Sequence, residues 1–249
     1  MPQGFLNFNV DHMTFLVDPK FYNVSYALFR IILGVGPKDI IYEKRRRWPG
    51  ADAEESMTFA SCIGEASNKG GLNKTIIAVV QPTEPASQGS HVRDILKNRG
   101  GSAHWQHIAL RTPDLLAFHK HARERGVNFI TPILKDADED LIQVFSGEWN
   151  LPGATPSGIF FEFVQRNPGK TLLKKLAESN RESWFRDKTF MGLYGEKENE
   201  YRRGKVRPFI DEALFGKISG LLKGKRQWEI TPKDLAAVEA AMKAYAKRS

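Results

Sequence analysis

The chain has 249 residues, a net charge of +8 and a single cysteine, and 41% of its residues are hydrophobic. It is long enough to bury a sizeable core as one large domain or two small ones. A lone Cys62 excludes an internal disulfide and suits a buried, inert thiol. Because there is neither a long apolar run nor a secretory leader, we expect a cytoplasmic protein without membrane association.

The positive charge does not by itself indicate a nucleic-acid partner. Basic residues fall in short runs at 44–47 and 201–205 and in the tail from residue 204 onward. No zinc-finger, helix-turn-helix or RNP-type signature accompanies them. We therefore expect a solvated basic surface and no nucleic-acid binding, and attraction to an anionic substrate or surface is the alternative.

The first predicted module covers about residues 8–82 and begins with a strand. In VDHMTFLV, apolar residues alternate after His12, which is the pattern of a half-buried strand. The amphipathic stretch FYNVSYALFRIILGV predicts a helix. Three strand-like runs follow: DIIYEKRRRW, SMTFASCI and KTIIAVVQP. The predicted order is therefore strand, helix, strand, strand, strand.

A linker at 81–103, rich in Pro, Gly and Ser with one short helical turn, separates this module from a second copy at about 104–166. The second copy begins with WQHIALRT, in which His107 takes the position of His12. A helical stretch follows, and then come the strand-like runs VNFITPILKD, DLIQVFSGEW and GIFFEFVQR. The order of the first module is thus repeated.

Two predicted helices carry recognisable end signals. In TPDLLAFHKHARERGV, Thr112 is the expected N-cap, and Gly126 follows the helix end. In the terminal TPKDLAAVEAAMKAYAKRS, Thr231 is the expected N-cap and Pro232 the first helical residue. Residues 167–249 are expected to be largely helical.

The repeat predicts an α+β fold in which two βαβββ modules form one half-open barrel around a cleft, with additional C-terminal helices. We expect a catalytic domain over residues 8–203, closed by a C-terminal helix. Residues 204–249 are expected to form a basic helical tail.

Strand alternation decides which histidines could share a site. His104 and His107 are three residues apart, so a regular strand points them to opposite faces and excludes an HxxH metal motif. His107 instead pairs with its repeat equivalent, His12. We expect His119 and His121, two apart on a helix, to face solvent.

Glu162 is a lone carboxylate inside the apolar run GIFFEFVQR. A buried carboxylate is costly unless it is paired or bound to a metal. Its repeat equivalent is Ala78, so the cleft would hold two histidines, one carboxylate and an empty fourth position. This set matches the facial triad of non-haem Fe(II) oxygenases and argues against a four-ligand lyase. A structural ion pair for Glu162 and hydrogen-bonded histidines are the alternatives.

Over about residues 8–203 the sequence resembles the catalytic half of the 4-hydroxyphenylpyruvate dioxygenase family, within the vicinal-oxygen-chelate superfamily. The resemblance lies in VDHMTFLV, EPASQGSHVRDILKNRGGSAHWQHIAL, LIQVF and IFFEFVQR. It implies that the iron ligands are His12, His107 and Glu162, the residues that internal symmetry also selects.

The resemblance also implies a set of substrate-binding residues. They are Ser56, Thr83, His91, Gln143, Phe145, Phe160, Phe185 and Phe190. Gln143 is additionally implied in catalysis, since the family's Gln lies near the keto acid or O2. Thr83 and His91 replace an Asn and a Gln of the polar network at the substrate's ring end. They favour a substrate other than 4-hydroxyphenylpyruvate.

The resemblance thus implies an Fe(II)-dependent dioxygenase that uses O2 as co-substrate. Its substrate would be an aromatic or bulky 2-oxo acid, oxidatively decarboxylated and hydroxylated in one reaction, and the resemblance allows a homodimer. The alternatives are a hydroxymandelate synthase-like enzyme, an extradiol ring-cleaving dioxygenase with His91 as its base, and a non-catalytic binding protein on the same scaffold.

Overall fold

The computed structural model describes residues 4–50, 52–64, 75–85, 87–135, 140–179 and 189–248. Within these residues the chain is an α+β protein with an eight-stranded mixed sheet, which confirms the predicted class. The strands are β1 (Asn9–Val17), β2 (Ile40–Arg46), β3 (Glu55–Ile63), β4 (Thr75–Val80), β5 (Ala103–Arg111), β6 (Leu134–Lys135), β7 (Leu141–Glu148) and β8 (Phe160–Arg166).

The helices complete the predicted duplication. They are α1 (Pro19–Ile31), α2 (His91–Asn98), α3 (Leu115–Arg123), α4 (Lys170–Ser179), α5 (Thr189–Arg202), α6 (Glu212–Leu221) and α7 (Pro232–Ala246). With α1 after β1 and α3 after β5, both copies have the order βαβββ, and α2 lies in the linker. Among the described helices, none is both long and apolar enough to cross a membrane.

The chain divides into two compact units. The first unit comprises Val10–Leu110 and Lys197–Gly204, and the second comprises Met1–Asn9, Arg111–Glu196 and Lys205–Ser249. The first βαβββ copy falls almost entirely in the first unit, and the rest of the second copy after β5 falls in the second unit. A separate tail domain beginning at residue 204 stays a prediction.

In the first unit the strand order is β2-β3-β4-β1-β5. Strand β3 runs antiparallel to β2 and β4, whereas β1 runs parallel to β4 with Thr14 opposite Ala78. Helix α1 is capped by the Asp18 carboxylate and packs its buried Tyr22 against Phe59. This core holds β1 firmly, and β1 carries His12.

In the second unit the strand order is β8-β7-β6, with antiparallel neighbours. All eight residues of β7 are buried. The prediction of a long strand over VNFITPILKD was wrong, since β6 covers Leu134–Lys135 and Phe129 makes an isolated bridge. Pro132 has no backbone N–H to donate, which explains the interruption.

Helix α3 begins later than the sequence predicted. Its N-cap is Asp114, whose carboxylate accepts the backbone N–H of Ala117 at 3.0 Å. The prediction of Thr112 as the cap was wrong, because its hydroxyl instead donates to the Phe5 carbonyl at 2.7 Å. Gly126 follows the helix with φ of 77°, as predicted.

The two helical histidines of α3 are half-buried, so the prediction that they face solvent was wrong. The His119 ring lies 4.5 Å from the Phe129 ring, and that of His121 lies 5.3 Å from the Phe5 ring. Burial, assisted by the nearby Arg123 charge, lowers the pKa of His119 to about 4. His119 is therefore neutral at physiological pH.

The C-terminal segment is packed into the second unit. Thr231 caps α7 and Pro232 is its first residue, which confirms both predictions. Leu214 of α6 is fully buried. A Cβ added at Gly126 would lie 2.6 Å from the Leu214 side chain and 3.5 Å from that of Tyr245. Gly126 thus combines a left-handed backbone with close approach of α6 and α7.

Substitution Gly126→Ala should destabilise the protein through both effects. The left-handed conformation costs a residue with a Cβ about 1–2 kcal/mol, and forced displacement of Leu214 adds about 1–3 kcal/mol. Gly153→Ala is the matched control, because φ is 75° there and nothing lies within 4 Å of the added Cβ. Urea unfolding should therefore give the larger loss for Gly126→Ala. Equal losses would contradict the packing of α6 against Gly126.

Candidate metal centre

In the first unit, the structure brings together the two histidines that open the repeated modules. His12 lies on β1 and His107 on β5, and these strands are neighbours. Their rings meet edge to face, with centroids 5.6 Å apart and an interplanar angle of 81°. The His12 side chain is 20% exposed and His107 is buried. Two imidazoles in this arrangement can contribute to one small site.

Each histidine forms a side-chain hydrogen bond with the residue that precedes it. Asp11 Oδ1 lies 3.1 Å from His12 Nδ1, and Gln106 Oε1 lies 3.1 Å from His107 Nδ1. Both partner side chains are buried. Because a carboxylate or amide oxygen is an acceptor, these contacts favour the neutral tautomer with the proton on Nδ1 and the lone pair on Nε2.

Thr14 contacts the second nitrogen of His107. Its hydroxyl oxygen lies 2.8 Å from His107 Nε2, and both residues are buried. A hydroxyl can donate to an unprotonated nitrogen, which agrees with the proton assigned to Nδ1. Thr14 is two residues after His12 and therefore on the same face of β1.

Sequence reasoning missed Asp11, Gln106 and Thr14. A signal for the first two was present, since each directly precedes a histidine at the same position of the repeat. Alternation along β5 puts His104 on the opposite face from His107. His104 is half-buried there.

In the second unit, Glu162 lies in the middle of β8 and is 2% exposed. Its register partner on β7 is Phe145, and Gln143 is opposite Val164. Side chains two residues apart on a strand, and those directly opposite, share one face of a sheet. Gln143, Phe145 and Glu162 therefore share a face of the β7–β8 pair.

Phe160 adds an aromatic side chain to this face. It lies two residues before Glu162, is fully buried, and has its ring centroid 6.3 Å from that of Phe145. Both rings belong to a buried cluster. Its other members are Ile130, Leu134 and Leu193. Glu162 and Gln143 are thus polar groups beside an aromatic wall.

The remaining predicted substrate residues of the first unit have defined partners. Ser56 Oγ lies 2.8 Å from the Tyr22 hydroxyl, and the Thr83 hydroxyl accepts from Trp48 Nε1 at 3.1 Å. Burial raises the pKa of the Tyr22 phenol to about 12, so this phenol stays protonated.

His91 is braced by α5. It is 1% exposed, and the Glu198 carboxylate accepts its backbone N–H at 2.6 Å and lies 3.3 Å from its Nδ1. The hydrogen bond from the His91 side chain is the main cause that lowers the pKa of Glu198. Phe185 lies outside the described residues. Phe190 belongs to α5, and its side chain lies outside them too.

No protein-family model matches this chain, and neither does any curated protein. Solved structures do match. A variant of 4-hydroxymandelate synthase from Streptomyces coelicolor has a TM-score of 0.49 and 17% identity, over 78% of this chain and 55% of that one. This chain therefore spans little more than half the length of that enzyme.

Methylmalonyl-CoA epimerases match over nearly their whole length. The Streptomyces coelicolor protein has a TM-score of 0.42 and 16% identity, over 64% of this chain and 97% of that one. The Mycobacterium tuberculosis protein has a TM-score of 0.41 and 18% identity, over 68% and 91% respectively. Likenesses at these identities and TM-scores carry no conclusion on activity, substrate or cofactor.

The hydrogen bonds at Nδ1 predict one tautomer for both histidines. In ¹⁵N NMR spectra of the metal-free protein at pH 8, His12 and His107 should both carry the proton on Nδ1. Gln106→Leu should abolish this preference at His107, because the acceptor is lost, and should leave His12 unchanged as an internal control. A proton on Nε2 in both rings would contradict the assignment.

Proposed function

We propose that His12, His107 and Glu162 hold a ferrous ion and that the chain is an Fe(II)-dependent dioxygenase of an aromatic or bulky 2-oxo acid. The observation that carries this proposal is the matched pair of Nδ1 hydrogen bonds. A metal-binding histidine commonly donates its other ring N–H to an oxygen acceptor, which fixes the tautomer and raises ligand basicity. Asp11 and Gln106 supply such an acceptor to each ring.

The donor set fits iron. His12, His107 and Glu162 are side chains that could hold a metal ion, with one ligand atom from each. Two imidazoles and one carboxylate form the 2-His-1-carboxylate set of non-haem Fe(II) oxygenases, which leaves coordination positions open. The absence of a thiolate from the set disfavours the softer metals. The buried, aromatic surroundings of Glu162 would limit the access of water.

When bound, Fe(II) would supply Lewis acidity toward the 2-oxo acid and electrons for reaction with O2. The protein's residues orient these partners. Asp11 and Gln106 hold the Nε2 lone pairs of the two histidines toward one site. The Thr14 hydroxyl, 2.8 Å from His107 Nε2, occupies that nitrogen in the metal-free protein, and iron would have to displace this hydrogen bond.

The proposed substrate follows from the side chains around Glu162. Phe145 and Phe160 offer an apolar wall that suits an aromatic or bulky aliphatic substituent. Gln143, buried on the same face, would orient the carboxylate or O2 through its amide. Ser56, Thr83 and His91 complete the proposed polar contacts, and Phe185 and Phe190 the proposed aromatic ones. Because Glu198 braces His91, a positioning role suits His91 better than that of a free base.

Metal binding tests the ligand assignment directly. Anaerobic titration of metal-free protein with Fe(II) should give one ion per chain. His12→Ala, His107→Ala and Glu162→Gln should each weaken binding by more than about 100-fold, because losing a ligand exceeds the 10–100-fold effect of losing an outer hydrogen bond. Gln106→Leu should fall within that smaller range. His104→Ala is the matched control on the same strand, and weakening by it would contradict the assignment.

Turnover tests the reaction. Iron-loaded protein should consume O2 and release CO2 in equal amounts with at least one member of a panel of phenylpyruvate, 4-hydroxyphenylpyruvate and 4-methyl-2-oxovalerate. Gln143→Leu should lower kcat by about 100-fold, as loss of one orienting donor does in other enzymes. Product analysis distinguishes ring hydroxylation from benzylic hydroxylation. Stoichiometric iron binding without turnover of any 2-oxo acid would support the metal-ligand assignment but overturn the proposed dioxygenase activity.

A further inference from the structure

The second unit contains a cavity of about 750 Å³ that the metal chemistry does not use. Among the described side chains, none of those proposed to bind the metal or the 2-oxo acid lines it. Its walls come from α3, the loop after α3, α4 and the C-terminal segment. The lining residues that matter here are His119, Arg123, Phe129, Leu176, Arg207 and Tyr245. Its volume lies within the range of about 300–1,000 Å³ that small-molecule sites occupy.

The cavity is built by hydrogen bonds between the loop and the C-terminal segment. The Asn128 backbone N–H donates to the Phe209 carbonyl at 2.9 Å. The Asn128 side-chain amide donates to the Asp211 carboxylate at 2.8 Å. The Arg207 guanidinium donates to the Phe129 carbonyl. These bonds fix the walls before any ligand arrives, which lowers the entropic cost of binding.

The charge that the cavity offers is positive. Arg123 and Arg207 are exposed residues of its lining, and the Arg207 guanidinium also donates to the Phe129 carbonyl. The Asp211 carboxylate, which accepts from Asn128 and from the Tyr245 hydroxyl at 3.2 Å, offsets one of these two positive charges and leaves an excess of one. His119 is neutral, since burial and Arg123 lower its pKa to about 4. Two arginines beside a neutral imidazole attract an anion, and guanidinium groups match a carboxylate with two parallel hydrogen bonds.

Several other lining residues are apolar. The Phe129 ring packs against the His119 ring, with centroids 4.5 Å apart, and Leu176 of α4 is 5% exposed. Ile130 and Ile133 continue this surface. A ligand that complements both the arginines and the apolar side chains has one anionic group and one apolar body. Inorganic anions lack the body, and neutral hydrocarbons lack the anionic group.

We propose that this cavity is a second ligand site, which binds a carboxylate carried on an apolar body. Arg123 and Arg207 hold the carboxylate, and Phe129 and Leu176 contact the body. The site depends on the C-terminal segment, because Arg207 and Tyr245 come from it. Residues 205–248 thereby acquire a role in ligand binding, and this site is independent of the proposed iron.

The test uses the whole 249-residue chain without metal, with 4-phenylbutyrate as the probe and its binding measured by calorimetry. A Kd on the order of 1 mM or tighter is expected for a ligand of this size. The neutral 4-phenylbutanamide should bind at least about tenfold more weakly, because charge-assisted hydrogen bonds are roughly twice as strong as neutral ones. Equal binding of acid and amide would overturn the proposal, and so would tighter binding of 4-phenylbutyl phosphate.

Variants locate the site. Arg123→Gln and Arg207→Gln should each weaken 4-phenylbutyrate binding about 5–10-fold through loss of one charged contact. Arg226→Gln removes the same charge from a residue outside the cavity lining and should change nothing. Ala246→Phe should block the cavity, and its urea unfolding midpoint shows whether it is folded. His12→Ala should bind the probe normally. Loss of binding in His12→Ala alone would assign the probe to the metal centre and overturn the second site.

Discussion

A histidine nitrogen binds a metal only through a lone pair, so the position of the proton on each ring decides what the candidate centre can do. In both His12 and His107, an oxygen of the preceding side chain engages Nδ1 at 3.1 Å. This contact favours the tautomer in which Nε2 is unprotonated in each ring. A preceding residue normally points to the other face of a strand, so this geometry requires the side chain to turn back toward its neighbour. Two such contacts at equivalent repeat positions indicate a shared constraint on both strands.

The duplication supplies symmetry, and a few residues break it. Glu162 in the second copy corresponds to Ala78 in the first, so the proposed set would have three ligands rather than four. Thr14, two residues after His12, corresponds to Ala109, two residues after His107. The hydroxyl is thus present in one copy only and contacts the histidine of the other at 2.8 Å. At these equivalent positions one copy has a small residue and the other a polar one, so the two halves of the repeat are chemically different at the candidate site.

The modules and the repeat could be predicted because alternation of apolar residues is a local signal. The interruption at Pro132 was misjudged because VNFITPILKD is rich in β-branched residues, whereas the bridges that Val127 and Phe129 make depend on Ile210 and Ser146, far away in sequence. The burial of His119 was missed for a similar reason, since the Phe129 ring approaches it from the loop after α3. Gln106 could have been found, because it precedes His107 as Asp11 precedes His12. Tertiary contacts over long separations leave no periodicity to detect.

Charge connects the candidate centre to the substrate class. Two neutral imidazoles and the Glu162 carboxylate would leave a bound divalent ion with one excess positive charge, which a monoanionic 2-oxo acid neutralises. With a neutral substrate, only the more distant Asp11 carboxylate beside His12 would offset that charge, and separating charges in buried surroundings costs free energy. The Asp11 carboxylate beside His12 adds negative charge at the ligand's far side, which strengthens His12 as a donor without occupying a metal position. In the proposed reaction, the carboxylate of the substrate would therefore contribute to the stability of the loaded centre as well as to substrate recognition.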